Sequence, residues 1–164
     1  MSAKKSSKQK AAERAAQEER RERRARRSPE EMIDAALQSA RHALEDGDIE
    51  RAIETAVDGL NRAEKVSGSE DVQVKLLRAL ASALALNGQP LQCEETLEEA
   101  VMLSASTSEP EITRVQVLLD RAITRLLSGE DRGAEQDVAE VKAALADSSV
   151  WPPTLADLLE QLAE

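Results

Sequence analysis

The sequence predicts an all-α fold: an α-solenoid of three helical hairpins with a short C-terminal capping helix, preceded by a disordered basic arm. Three observations predict it. Breaks in the helical pattern are marked by Gly47, Gly88 and Gly129, each 41 residues after the one before. The apolar residues are almost all Ala, Leu, Val and Ile, with no Phe, no Tyr and one Trp, Trp151. Such a composition favours helix, and its small members let helices approach closely. Few stretches show the alternating, β-branched pattern of a strand.

The 164 residues suit one domain and a tail. Charge places the boundary, with an arm over residues 1–27 and a helical domain over 28–164. The arm carries 11 Lys and Arg against four Glu, a net +7, so the remainder of this −10 chain is at −17. The arm contains no Leu, Ile, Val or Phe. It cannot bury enough apolar surface to offset the entropy of ordering, and is expected to be disordered alone. From Ala11 onward its Ala, Glu, Gln and Arg favour helix, so binding to a polyanion would order it. The run "RRERRARR" presents Arg20, Arg21, Arg23, Arg24, Arg26 and Arg27 as a polyanion contact or targeting signal, for nuclear import, RNA, DNA or a ribosome surface. Its other reading is a solvated charge run that aids solubility. No aromatic residue in the arm could stack on bases, so nucleic-acid binding would rest on phosphate contacts and weaken steeply with salt.

Ser28 at an N-cap, Pro29 at the first helical position and Glu30 and Glu31 behind them make a strong helix start. "RRSP" also fits a phosphorylation site, whose phosphate a helix N-terminus tolerates. The first hairpin is predicted over Pro29–Asp46 and Asp48–Val66, with Gly47 after the first helix and Asp48 capping the second. "SGSED" at 67–71 links it to a second pair over Ser69–Asn87 and Pro90–Ser104, where Pro90 takes a first-turn position. "SASTSEP" at 104–110 leads to a third pair over Glu111–Ser128 and Asp131–Ala146. "DSSVWPP" follows, then a short helix over Thr154–Glu164 whose Leu155, Leu158, Leu159 and Leu162 lie on one face. Trp151 is expected to cover the open end of the third hairpin, or else to anchor a partner.

The 41-residue step holds at other positions. Ala40, Ala81 and Ala122 align, as do Ala52, Cys93 and Ala134. So do Ile33, Val74 and Val115; Ala36, Leu77 and Leu118; and Ala56, Leu97 and Val138. Several columns in one register mark an internal repeat.

The stretch "LEDGDIERAIETAVDGL", with Ala40 before it, resembles the tetratricopeptide repeat: a small residue in the first helix, a Gly-Asp turn, then two small residues in the second. Ala40, Gly47, Asp48, Ala52 and Gly59 occupy those positions; Ala81, Gly88, Cys93 and Ala100 do so in the second unit, and Ala122, Gly129 and Ala134 in the third. The resemblance spans about residues 29–146. The period exceeds the family's usual 34, Leu, Val and Ala replace the family's aromatic residues, and the proline that usually ends each unit is missing. The resemblance implies a right-handed solenoid whose first helices line a concave groove for a peptide or helix of a partner. Carried over, the groove-lining candidates are Leu37, Arg41, Leu44, Lys75, Arg78, Ser82, Leu119, Ile123 and Leu126. Chaperone-binding members grip a terminal carboxylate with Lys and Asn; the matching places here hold Leu37, Arg41, Ala79, Gln116 and Asp120, so that clamp is not expected.

Nothing in the sequence assembles a catalytic or metal constellation. His42 is the only histidine and Cys93 the only cysteine. His42 reads as a helix-face residue and Cys93, in an alanine column, as a small core residue. "EDGDIE" lacks the ligand ladder of a calcium loop, and no glycine-rich phosphate loop appears. No enzyme, cofactor or metal is therefore expected. The absence of a long apolar run or an apolar N-terminal segment points to a chain inside the cell, cytoplasmic or nuclear, and not in a membrane. The expected function is that of a protein-interaction adaptor or dedicated escort for a basic client, held in the groove of the array. The alternative is a nucleic-acid- or ribosome-associated protein that works through its arm.

Overall fold

The computed structural model describes residues 28–146. They form six helices: α1 (Pro29–Glu45), α2 (Ile49–Ala63), α3 (Glu70–Leu86), α4 (Pro90–Ser104), α5 (Pro110–Leu127) and α6 (Asp131–Ala146). Among the described residues there is no strand. The arm and the expected capping helix lie outside the described residues.

The same turn joins each helix pair. Gly47, Gly88 and Gly129 have φ of 75°, 71° and 78°, the left-handed region that only glycine enters without cost. Each turn closes with two backbone bonds. The glycine N–H donates to Leu44, Ala85 or Leu126, and the next N–H, of Asp48, Gln89 or Glu130, donates to Ala43, Leu84 or Arg125 at 2.8–2.9 Å. This pairing satisfies carbonyls that a helix end leaves open. Asp48 then accepts from the Arg51 N–H at 3.3 Å and starts α2. At the front of the array Ser28 and Glu31 exchange side-chain-to-backbone bonds in a capping box.

Most boundaries agree with the sequence reading to within one residue, and two of the differences have a visible cause. α2 stops at Ala63 rather than Val66, because buried Ser69 reaches back: its hydroxyl donates to the carbonyls of Ala63 and Val66 and accepts from Gln73. α5 starts one residue early, at Pro110, whose missing N–H costs nothing in the first turn. Asp71 ties the two links together by accepting from the backbone and the hydroxyl of Ser108.

Each helix packs on the next in sequence, and α3 also packs on both α1 and α5. This is a repeat-like arrangement of adjacent helices. The sequence columns supply its core: all members of the Ile33, Ala36, Ala40 and Ala52 columns are buried. One further column completes it, since Gly59, Ala100 and Val141 are buried in the same register. Gly59 is there for closeness, because a Cβ on it would stand 2.9 Å from Leu76 and 3.0 Å from Ala36. The exception is Val138, which is half-buried while its neighbour Asp137 goes inside.

Candidate protein-interaction groove

The α3 stretch "ALASALAL" explains why a groove forms. Ala79, Ala81, Ser82 and Ala85 are too short to fill the space beside α1 and α5. Two joined clefts result. One, of about 230 Å³, is bordered by Arg41 and Leu44 of α1, by Lys75, Arg78, Ala79 and Ser82 of α3, and by Asp120 of α5. The other, of about 310 Å³, runs between the later halves of α3 and α5 over Cys93 and Leu97 of α4. Arg78, Ser82 and Asp120 border both, so the groove crosses all three first helices.

Its centre is polar. The Arg78 guanidinium donates to Asp120 at 2.5 Å and to the Gln116 side chain at 2.9 Å. The Ser82 hydroxyl turns back onto the Arg78 carbonyl. Arg41 and Lys75 are exposed and have no acidic partner among the described residues. The far end is apolar. Leu86, Ile123 and Leu127 stand 67%, 57% and 83% exposed around the larger cleft, with Leu126 beside them at 55%.

Of the nine groove candidates, Arg41, Leu44, Lys75, Arg78, Ser82 and Ile123 border these clefts, and Leu126 is exposed next to them. Leu37 does not: it is 4% exposed, packed with Ile33, Ala63 and Leu76. The α1–α2 interface takes that face of the helix. Leu119 is likewise drawn against the main core. The six arginines of the arm candidate, Arg20, Arg21, Arg23, Arg24, Arg26 and Arg27, lie outside the described residues. Asp120, which the resemblance placed at a clamp position, borders both clefts, and Leu86 and Leu127 are groove residues that the resemblance did not supply. Leu86 and Leu127 share a register, 41 residues apart, and each precedes a turn glycine by two, so the period itself could have found them.

The rest of the surface has the opposite charge. Residues 28–146 hold 24 Asp and Glu against 11 Lys and Arg. Glu50, Glu54 and Asp58 of α2 and Glu95, Glu98 and Glu99 of α4 are exposed. A groove with Arg41 and Lys75 at its rim therefore sits on an acidic body.

A second polar feature lies inside the third hairpin. Asp137, its side chain 3% exposed, receives Arg121 through two bonds of 2.6 and 3.0 Å and Arg125 at 2.9 Å. Arg125 also donates to Glu94 at 2.8 Å and to the Gly133 carbonyl at 3.3 Å. Burial pushes the Arg125 pKa down, but bonds and charge from Glu94 and Asp137 outweigh it, so the net shift is upward and the guanidinium stays charged. The corresponding residues of the second hairpin are Leu80, Leu84 and Thr96.

The groove offers shape, hydrogen bonds and charge. His42 is exposed beside Glu45, and the Cys93 thiol is buried against Thr124, its pKa raised by burial. Among the described residues no three His, Cys, Asp or Glu are placed to hold a metal ion, and no helix is long and apolar enough to cross a membrane. Compared with known proteins, the chain matches no family model, no curated protein and no solved structure.

Proposed function

We propose that this chain is a protein-binding adaptor or escort, built as a right-handed tetratricopeptide-like α-solenoid, that seats a segment of a partner in the groove across α1, α3 and α5. The observation that carries the reading is the groove itself: a continuous concavity on the first helices, polar at its centre and lined at one end by exposed leucine and isoleucine. Monomeric proteins rarely leave such residues grouped in the open without a use. A basic partner protein is attracted over distance by the acidic faces of α2 and α4, which raises the encounter rate. The groove, with Arg41 and Lys75 at its rim, then selects the segment that is seated.

The test is a cross-linked capture from native lysate with the full chain, residues 28–164, and two full-length variants. One variant reverses charge on α4 (Glu95→Lys, Glu98→Lys) and the other blocks the groove (Ile123→Glu). The adaptor reading expects one protein partner shared by the first two baits, weakened by either variant. Partners recovered only by the full chain and lost on nuclease treatment would overturn it. They would favour the +7 arm as the working part instead.

A further inference from the structure

We infer that the apolar end of the groove is the docking site of the chain's own C-terminal segment, residues 147–164, which occupies it in cis and must be displaced before a partner is seated. This rests on the groove reading above, and three observations converge on it.

The first is chemical fit. Leu155, Leu158, Leu159 and Leu162 follow the i, i+3, i+4, i+7 spacing of one helical face. They match an open end of the groove bordered by Leu86, Ile123 and Leu127. Helix-in-groove recognition uses anchors at this spacing.

The second is charge. The segment holds Asp147, Asp157, Glu160 and Glu164 and no Lys or Arg. The acidic outer faces of α2 and α4 repel it. Arg41 and Lys75 border the adjoining smaller cleft of the groove and offset that repulsion there.

The third is reach. Arg114, near the start of α5, pairs with Glu140, and Arg125, near its end, bonds Gly133, so α6 runs back along α5. The chain therefore leaves α6 near the start of α5. The eight residues before Leu155 span up to ~28 Å when extended, while a helix is about 10–12 Å across. The segment can thus round α5 and run along it toward Leu127. A short tether also supplies an effective concentration of about a millimolar, so even a weak contact is populated.

Trp151 is the only tryptophan of the chain and lies within the segment, so its fluorescence reports the docking directly. The experiment measures emission maximum and acrylamide quenching of the full chain, with circular dichroism as the check on folding. Docking predicts a shielded Trp151 in the native chain. Ile123→Glu with Leu127→Glu, two exposed positions, should shift emission to the red and abolish the shielding; Leu158→Glu, in the segment itself, should do the same. Met102→Glu, equally exposed but on α4, should change nothing. The proposal is overturned if the groove variants leave Trp151 as it was, which would leave the segment capping the third hairpin or free. It is equally overturned if shielding falls on dilution, which would mean insertion into a second copy. Loss of helicity in the groove pair would leave Leu86→Glu, an exposed position on the α3 side of the same cleft, as the deciding variant. A shielded, groove-dependent Trp151 in a chain that captures no partner even when Leu158→Glu has released the segment would sink the adaptor reading and keep this one.

Discussion

Asp137 is the residue on which the third hairpin depends most. It is buried and both of its oxygens are used by arginines. Removing one member of such a set leaves uncompensated buried charge, at a cost of about 3–5 kcal/mol. Asp137→Ala should therefore lower the thermal midpoint well below that of any exposed carboxylate variant, such as Glu98→Ala, in a calorimetric scan. Cys93 makes the contrasting case. It sits in an alanine column, so Cys93→Ala should cost only about 1 kcal/mol. Its raised pKa also fixes a sign. As pH rises past about 8.5 the unfolded thiol ionises before the folded one, so that stability falls above this pH. Denaturant titrations across that range should show the fall in the native chain and a smaller one in Cys93→Ala. The sequence made Cys93 legible because its column is all small residues. Asp137 was not legible, because a charged residue on a helix reads as solvated, and only the fold brings Arg121 and Arg125 over it.

The helices were the most legible level, because glycine, proline and caps are local signals. All three hairpin turns fall where the glycines place them, and Pro29, Pro90 and Pro110 each lead a helix. The links were less legible: Ser69 ends α2 through a bond six residues back, which no local propensity encodes. The faces were legible only in part. Leu37 looked like a groove residue by analogy, yet α2 closes over it. Two glycines give opposite tests of this level. At Gly88 there is open space but a φ of +71°, so Gly88→Ala should cost about 1–2 kcal/mol through backbone strain alone. At Gly59 the backbone is helical but Leu76 and Ala36 are against it, so Gly59→Ala gains helix propensity and loses more to overpacking, about 1–3 kcal/mol. Adding Leu76→Val, which frees space, should recover part of the Gly59→Ala loss and none of the Gly88→Ala loss. A double-mutant cycle read by urea unfolding separates them.

At the scale of the whole molecule the three units are not equal. In repeat-like packing, stability is close to a sum of each unit's own terms and those of its neighbour interfaces. α3 meets α1, α2, α4 and α5, whereas among the described residues α6 packs substantially only on α5. The main core gathers around α3, α4 and α5. The third hairpin holds its two helices together partly through Arg121, Arg125 and Asp137, in the places where the second has Leu80, Leu84 and Thr96. Buried ion sets of this kind often contribute less than apolar residues of similar volume, since desolvation offsets much of the attraction. The third unit is therefore the one that opens first. Native-state hydrogen exchange should show amides of α5 and α6 exchanging through an opening of lower free energy than those of α3 and α4. Grafting the second unit's residues as a set, Arg121→Leu, Arg125→Leu and Asp137→Thr, should be neutral or stabilising by about 1–4 kcal/mol. It should also raise α5 and α6 protection toward that of α3 and α4. Glu94, partly exposed, can turn to water once Arg125 is gone. If the graft instead lowers protection in α6 alone, the ion set is the better seam at this site, and the repeat's apolar solution does not transfer to its last unit.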